Sequence, residues 1–286
     1  MSVAIDHVRQ DFKRSDDMRD AGFVIPEDIV RYENIVYGSD PEWQVLDIYQ
    51  TTWNEGKLLP VIVCVNGGGL VDGDKEHYRF YCMELAQRGF AVVNFTYRLA
   101  PEHKYPAPLE DTNSVFSWIV ANAEQYYLDK KNIFAVGDST GAHILGLYAG
   151  ICTNPDYAAK YSFHPPVGFA LKAIALNCGT KDDLNSKLIT DILPNQGTKA
   201  EMELIDVTAH ITQDYPPTFL MTSTDDLLKD QTIAMATKLT SKNVPFTYRY
   251  YGNTQNMLPY AFYLNIKSVE AKLCNDEECE FFRKFL

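Results

Sequence analysis

Short apolar segments alternate with longer helix-length segments along most of the chain. The segments that read as strands are residues 44–49, 59–65, 90–97, 132–136, 172–176, 217–222 and 246–250. The helix-length segments are residues 77–88, 108–123, 142–152, 230–242 and 276–286. Buried strands separated by helices form a parallel sheet with helices on both of its faces. The pattern therefore predicts an α/β fold with a mostly parallel sheet flanked by helices.

Two polar regions interrupt this alternation. Residues 1 to about 40 are polar and predicted to be helical, and residues 181 to about 212 form a polar insertion between two core strands. We expect both regions to be cap elements over the strand ends. A chain of 286 residues can bury a large core as one unit. The sequence therefore predicts a single domain over residues 1–286 with a small cap.

Composition and charge narrow the range of partners. The hydrophobic share of 46% and the charged share of 22% are typical of globular proteins in water. A net charge of −12 argues against nucleic acid and anionic membranes, because the field of the protein repels phosphate groups. No stretch reads as a signal peptide or a membrane span, so we expect a cytoplasmic protein.

The cysteines favour neither disulfides nor a metal centre. They lie singly along the chain, and Cys64 and Cys178 fall inside apolar segments, as reduced core cysteines do. Cys274 and Cys279 flank four polar residues, with no second pair or histidine nearby, so a zinc site is not expected. We predict no metal and no cofactor.

The segment from Val136 to Ala142, VGDSTGA, places Ser139 between two glycines, each two residues away. A strand-like segment precedes it and a helix-forming segment follows it. This context is typical of a sharp strand-to-helix turn that exposes a nucleophilic hydroxyl. The alternative is a packing turn made of small residues. With both flanking elements present, we predict that Ser139 is a nucleophile.

A second glycine cluster, Gly67-Gly68-Gly69, directly follows the apolar segment 59–65. Glycine lets the backbone approach a ligand closely, so its N–H groups can point at a developing oxyanion. Three glycines alone are equally consistent with a flexible turn. The N–H of Thr140, at the start of the predicted helix, would add a further oxyanion donor that the helix dipole favours.

A third motif connects these two. Residues 97–103 read YRLAPEH and residues 105–111 read YPAPLED, with NGGG before them and GDSTGA after them. In this order and spacing the motifs resemble the hormone-sensitive-lipase-like branch of the α/β-hydrolases, from about residue 45 to the C-terminus. The resemblance implies an eight-stranded sheet, a helical cap and serine carboxylesterase activity. It also implies Ser139 as nucleophile and Gly68, Gly69 and Thr140 as oxyanion hole.

The family order requires an acid and then a histidine after the serine. Asp226, which follows an apolar strand, matches the acid, and Asp225 is the near alternative. No histidine follows Asp226: the six histidines are His7, His77, His103, His143, His164 and His210. The His-Gly-Phe of the family most resembles Tyr260-Ala261-Phe262, while a competing alignment places Gln255 there. A phenol titrates at about pH 10, so Tyr260 is a poor base.

Three interpretations remain open. In the first, which we favour, the chain is an esterase for small, short-chain esters, and the base of this esterase has been replaced. We expect its activity to be weak or absent. Alternatively, it is an inactive binding or receptor protein for a small carboxylate or ester. In the third interpretation Ser139 uses an unconventional base, for which His143 is the nearest histidine in sequence. A packing role is favoured for His143. The sequence predicts a small-molecule ligand and leaves the oligomeric state undefined.

Overall fold

The computed structural model describes residues 3–179 and 188–286, which contain one eight-stranded sheet. Its strands are β1 (Ile29–Val36), β2 (Val45–Thr51), β3 (Leu59–Val65), β4 (Ala91–Phe95), β5 (Leu128–Asp138), β6 (Leu171–Asn177), β7 (Thr218–Ser223) and β8 (Phe246–Tyr251). Their spatial order is β1-β2-β4-β3-β5-β6-β7-β8. β1 and β2 run antiparallel to their neighbours, and the remaining pairs are parallel. The predicted mostly parallel sheet is confirmed.

Helices cover both faces of the sheet. They are α1 (Val3–Asp20), α2 (Lys75–Ala86), α3 (Ala107–Asn122), α4 (Thr140–Thr153), α5 (Pro155–Ala158), α6 (Ile189–Ile192), α7 (Lys199–Leu204), α8 (Lys229–Ser241) and α9 (Val269–Arg283). α2 and α9 pack on one face, and α3, α4 and α8 pack on the other. Searched over the described ranges, no helix is long and apolar enough to cross a bilayer.

β3 illustrates why the central strands are continuously apolar. Its residues Val61, Val63 and Val65 belong to the core beneath α4, while Ile62 and Cys64 belong to the core beneath α2. Side chains of a strand alternate between the two faces of the sheet. Since both faces are buried, every position of the strand must be apolar. The seven strands predicted from the sequence correspond to β2 through β8.

The prediction of a helical region over the first 40 residues is right for α1 and wrong for β1. Within β1, Ile29 is the one buried position, and the pairing with β2 is irregular between Tyr32 and Ile35. An edge strand of this kind needs few apolar residues, because solvent covers much of it. Its hydrophobic residues do not alternate regularly with polar ones, so the pattern did not reveal the strand.

The polar insertion contains short helices and buries more apolar surface than its composition indicates. Residues 188–212 form α6, α7 and a 3-10 turn at Val207–His210, whereas 181–187 lie outside the described residues. Buried side chains from this region join the core around α4; they are Ile192, Leu193, Ile205, Val207 and Ile211. Its assignment as a cap element stays a prediction.

The first turn of α4 lies very close to the end of β3. A Cβ atom on Gly141 would overlap the carbonyl oxygen of Val65 and come within 2.7 Å of that of Asn66. Both obstacles are backbone atoms, which cannot rotate away. We therefore predict that Gly141→Ala lowers the free energy of unfolding by about 3 kcal/mol. Urea denaturation followed by circular dichroism measures this change.

Gly150→Ala, in the same helix, is the matched control. A Cβ atom there would meet side-chain atoms of Tyr157 and His210 at 3.3 to 3.4 Å, which can give slightly. Alanine also favours a helix interior over glycine. An equal loss of stability in both variants would show that the close backbone contact between β3 and α4 is not what makes Gly141 necessary.

Candidate active site

Ser139 occupies the single-residue turn between β5 and α4. Its backbone angles are φ 52° and ψ −124°, a conformation that side chains rarely adopt. The N–H of Ser139 donates a hydrogen bond to the carbonyl of Asn177 at 3.1 Å. A Cβ atom on Gly137 would come within 2.6 Å of the backbone of Gly141, so the turn requires small residues on both sides. The strand, sharp turn and helix predicted around Ser139 are all present.

The glycine loop follows β3 and lies beside this turn. Gly68 and Gly69 have φ values of 137° and 65°, in the region that favours glycine. The loop closes on itself, because the N–H of Asp72 donates to the Gly68 carbonyl at 2.9 Å. The N–H of Gly69 donates to the hydroxyl oxygen of Thr140 at 3.1 Å. One of the predicted oxyanion donors thus bonds to a side chain beside the nucleophile.

Asp226 lies just after β7 and is buried, with 2% of its surface exposed, whereas Asp225 is exposed. One carboxylate oxygen of Asp226 accepts the hydroxyl of Thr222 at 2.6 Å, and the other accepts the N–H of Leu228 at 2.7 Å. Of the two aspartates that the sequence left open, Asp226 is the one held inside the protein.

Hydrogen bonds tie the loop that carries Tyr260 to the residues around Asp226. The N–H of Asp225 donates to the carbonyl of Leu258 at 3.0 Å, and the Ser223 hydroxyl donates to that of Pro259 at 3.0 Å. Ala261 has φ 52° and ψ 28°, the left-handed conformation that suits glycine in a His-Gly-Phe motif. The backbone therefore supports the alignment at 260–262. Gln255, the competing position, lies in an exposed turn.

The Tyr260 phenol faces Ser139. Burial raises its pKa far above that of an ordinary phenol, and the negative charge of Asp138 acts in the same direction. A hydrogen-bonding interaction with the Ser139 side chain opposes these effects without cancelling them. The phenol therefore keeps its proton at neutral pH. At this position the site has a hydrogen-bond donor in place of a base.

A cavity of about 380 Å³ borders Gly68, Ser139 and Tyr260, whereas Gly69, Thr140 and Asp226 do not line it. α1 covers one side of it, and the glycine loop, the Ser139 turn and the Tyr260 loop form the others. Its lining includes Phe12, Asp16, Arg19, Gly67, Gly68, His77, Tyr78, Asp138, Ser139, Tyr260, Ala261 and Phe262. Arg19 fastens α1 to α2 by donating to the carbonyl of His77 at 2.5 Å. The cavity has room for a short ester.

The six histidines differ in burial: His143 and His210 are buried, His77 and His103 are half-buried, and His7 and His164 are exposed. The Nε2 of His143 lies 2.6 Å from the carbonyl oxygen of Ile205, so its ring points toward the 188–212 region. His103 packs edge-on against Trp43, with ring centroids 5.8 Å apart. Of the histidines in the described ranges, His77 is the one that lines the cavity with Ser139. Nothing in the sequence singles out His77, because its helix and the serine turn meet only in the folded chain.

Comparison with known proteins identifies the family. A family model described as alpha/beta hydrolase fold matches residues 62–257, which is more than half of the chain. The chain belongs to this family.

Two relatives illustrate the match. Esterase LipC of Mycobacterium tuberculosis is 30% identical over 132 residues, which cover 46% of this chain and 32% of that protein. An esterase of Gibberella moniliformis is 28% identical over 197 residues, covering 64% and 62%. The chain thus spans about a third to three-fifths of the curated relatives it matches.

Solved structures agree with the fold. The crystal structure of esterase B from Lactobacillus rhamnosis has a TM-score of 0.89 at 22% identity and covers 99% of this chain and 94% of its own. An esterase from the bacterial hormone-sensitive lipase family has a TM-score of 0.74 at 20% identity, covering 100% and 99%. The predicted membership of the hormone-sensitive-lipase-like branch is confirmed.

The described cysteines are free thiols, and the described residues contain no group of three or more side chains that could hold a metal ion.

Two buried carboxyl groups lie beneath the Ser139 turn. Asp138 accepts the hydroxyl of Tyr78 at 2.7 Å, and burial raises its pKa to about 6. Glu278, on α9, accepts the hydroxyl of Tyr81 at 2.8 Å and the amide of Asn177 at 2.8 Å. Burial raises the pKa of Glu278 to about 7. An acidic residue at the buried end of a strand, within VGDSTGA, was the sequence signal for Asp138; Glu278 had none.

These raised pKa values predict a pH dependence of stability. A carboxyl group whose pKa is raised by folding stabilises the folded state fully below its unfolded pKa and loses that contribution as pH rises through its folded pKa. For Glu278 the window runs from its ordinary value of 4.5 to about 7. The loss should be of the order of 3 kcal/mol. Glu278→Gln stays neutral, so its free energy of unfolding should decline less than that of the wild type across this window.

The measurement is urea denaturation at several pH values between 4 and 8. Glu280→Gln, at an exposed position of the same helix, is the matched control and should follow the wild type. Identical pH profiles for wild type and Glu278→Gln would refute the raised pKa.

Proposed function

We propose that the protein is a carboxylic ester hydrolase that acts on small, short-chain esters, with Ser139 as nucleophile and Asp226 as the acid of its triad. The observation that carries the proposal is the Ser139 turn, with φ 52°, opening into a cavity beside the glycine loop. The relatives named esterase support the same reaction class. α1 would be a cap element over this cavity, whereas the 188–212 region, which the sequence also predicts as a cap, contributes no residue to its lining.

In this mechanism the Ser139 oxygen attacks the ester carbonyl, and the alcohol leaves to give an acyl-enzyme that water hydrolyses. The N–H groups of Gly68, Gly69 and Thr140 are the proposed oxyanion donors. To receive the oxyanion, Gly69 must release the Thr140 hydroxyl that it now contacts. The dipole of α4 favours negative charge at Thr140.

The weak point of the mechanism is proton removal from Ser139. Tyr260 stands where the family has histidine, and its burial keeps it protonated. A base positioned near its operating pH contributes about 10²- to 10⁴-fold to such a reaction. We therefore expect turnover well below that of an esterase with the complete triad.

Restoring the histidine should raise activity. We predict that Tyr260→His increases kcat/KM for p-nitrophenyl acetate and butyrate by about 10²-fold or more, because imidazole would stand between Ser139 and Asp226. Release of p-nitrophenol measures the rate.

Tyr250→His is the matched control, since Tyr250 lies at an exposed position of β8. An unchanged rate in a folded Tyr260→His protein would count against residue 260 as the base position. The same increase in the Tyr250 variant would show that added imidazole acts nonspecifically.

The second candidate is a receptor for a small carboxylate or ester. It is favoured by the protonated Tyr260 phenol, which offers the cavity a donor beside the Ser139 hydroxyl. Donors of this kind, together with the glycine N–H groups, suit a carboxylate oxygen. The phenyl ring of Phe12 on α1 offers the apolar contact for a short chain.

Butanoate should raise the melting temperature of the wild type, because a ligand bound only by the folded state stabilises it. Phe12→Ala should reduce the shift, whereas Met18→Ala on the exposed side of α1 should not. Differential scanning fluorimetry over a concentration series measures the shifts. Equal shifts in both variants would place the ligand elsewhere.

A further inference from the structure

His77 lies in the first turn of α2 with its backbone held on both sides. Its N–H donates to the carboxylate of Asp74, the residue preceding the helix, at 3.3 Å. Its carbonyl accepts the guanidinium of Arg19 on α1 at 2.5 Å. These bonds fix where the imidazole leaves the backbone, at the junction of the two helices that border the Ser139 cavity.

The Nδ1 atom of His77 is directed at two carboxylates. It lies 3.7 Å from an oxygen of Asp16 on α1 and 3.7 Å from an oxygen of Asp74. Neither distance is a hydrogen bond, and this Nδ1 is buried without a hydrogen-bond partner. A buried polar atom without a partner destabilises the folded protein, so a partner that came within hydrogen-bonding distance would stabilise it.

Asp16 is the better placed of the two partners. The Asp74 oxygen nearest to Nδ1 already accepts two backbone N–H groups at the start of α2. Asp16 instead gives one oxygen to Arg19, at 2.7 Å, and turns the other toward His77. Arg19 thereby orients Asp16, as the acid of a triad is oriented by its own hydrogen bonds.

The opposite edge of the imidazole carries Nε2, and Ser139 and His77 line the same cavity. We propose that His77, positioned by Asp16, accepts the proton of Ser139 and supplies the activity that remains with Tyr260 in the usual base position. This inference rests on the proposed ester hydrolysis. His77 would be the catalytic residue and Asp16 a positioning residue.

The proton balance of the step is complete. As the bond from the Ser139 oxygen to the carbonyl carbon forms, the hydroxyl proton passes to Nε2 of His77, directly or through one water. As the bond from that carbon to the alcohol oxygen breaks, the imidazolium returns the proton to the leaving alkoxide. Water then enters by the same route and releases the acid and Ser139.

α1 must close slightly for this arrangement to work. Asp16 needs to approach Nδ1 by roughly 0.5 Å to reach hydrogen-bonding distance. The charged groups near the imidazole include Asp16 and Arg19 from α1 and Asp72 and Asp74 from the segment before α2. A second cavity that His77 borders adds further charged side chains, which are Arg9, Lys13, Asp17, Asp20, Glu76 and Arg79.

The test measures Ser139 labelling by a fluorophosphonate, in which the serine oxygen attacks phosphorus and fluoride leaves. His77→Gln should lower the second-order labelling rate by about 10²-fold. Asp16→Asn should lower it less, and His164→Gln, at an exposed loop position, should leave it unchanged. Circular dichroism confirms that each variant is folded.

A second background separates this inference from the proposed function. In Tyr260→His the conventional base is restored, so adding His77→Gln should cost far less there than in the wild type. Equal labelling of wild type and His77→Gln would overturn the role of His77 and leave ester hydrolysis standing. So would labelling seen only in Tyr260→His. Absence of labelling in every protein, Tyr260→His included, would overturn both proposals.

Discussion

The direct backbone contact between the end of β3 and the first turn of α4 determines where the site lies. Gly141 packs against the carbonyls of Val65 and Asn66, with no side chain between strand and helix. The short separation leaves one residue, Ser139, to reverse the chain, which forces its positive φ. Because β3 ends at the same place, its glycine loop must emerge beside Ser139. A wider gap would remove both features together.

Local sequence predicted those parts of the structure that local packing decides. The central strands were recognised because both of their faces are buried, as in β3. The Ser139 turn was recognised because its strand, glycines and helix are contiguous in sequence. The edge strand β1 was missed because it has a single buried residue, Ile29.

Features that depend on distant segments could not be predicted in this way. Nothing in the composition of α1 indicates that its Phe12 and Arg19 reach a cavity beside residue 139. Asp225 and Asp226 are distinguished by the exposed fraction of their side chains, and this exposure depends on how β7 contacts the Tyr260 loop. His77 is an unremarkable residue in sequence, since two helices define its surroundings only after they pack.

The N–H of Gly69, in the glycine loop, already donates a hydrogen bond within the protein, to the Thr140 hydroxyl oxygen. A donor that is satisfied internally keeps its direction before any substrate arrives, so the loop has less conformational freedom to lose on binding. In the proposed role of Gly69 as an oxyanion donor, an arriving oxygen would have to displace the Thr140 hydroxyl. A neutral oxygen would gain little from this exchange. An oxygen with substantial negative charge would gain more, so the exchange would make the site selective for charged oxygens.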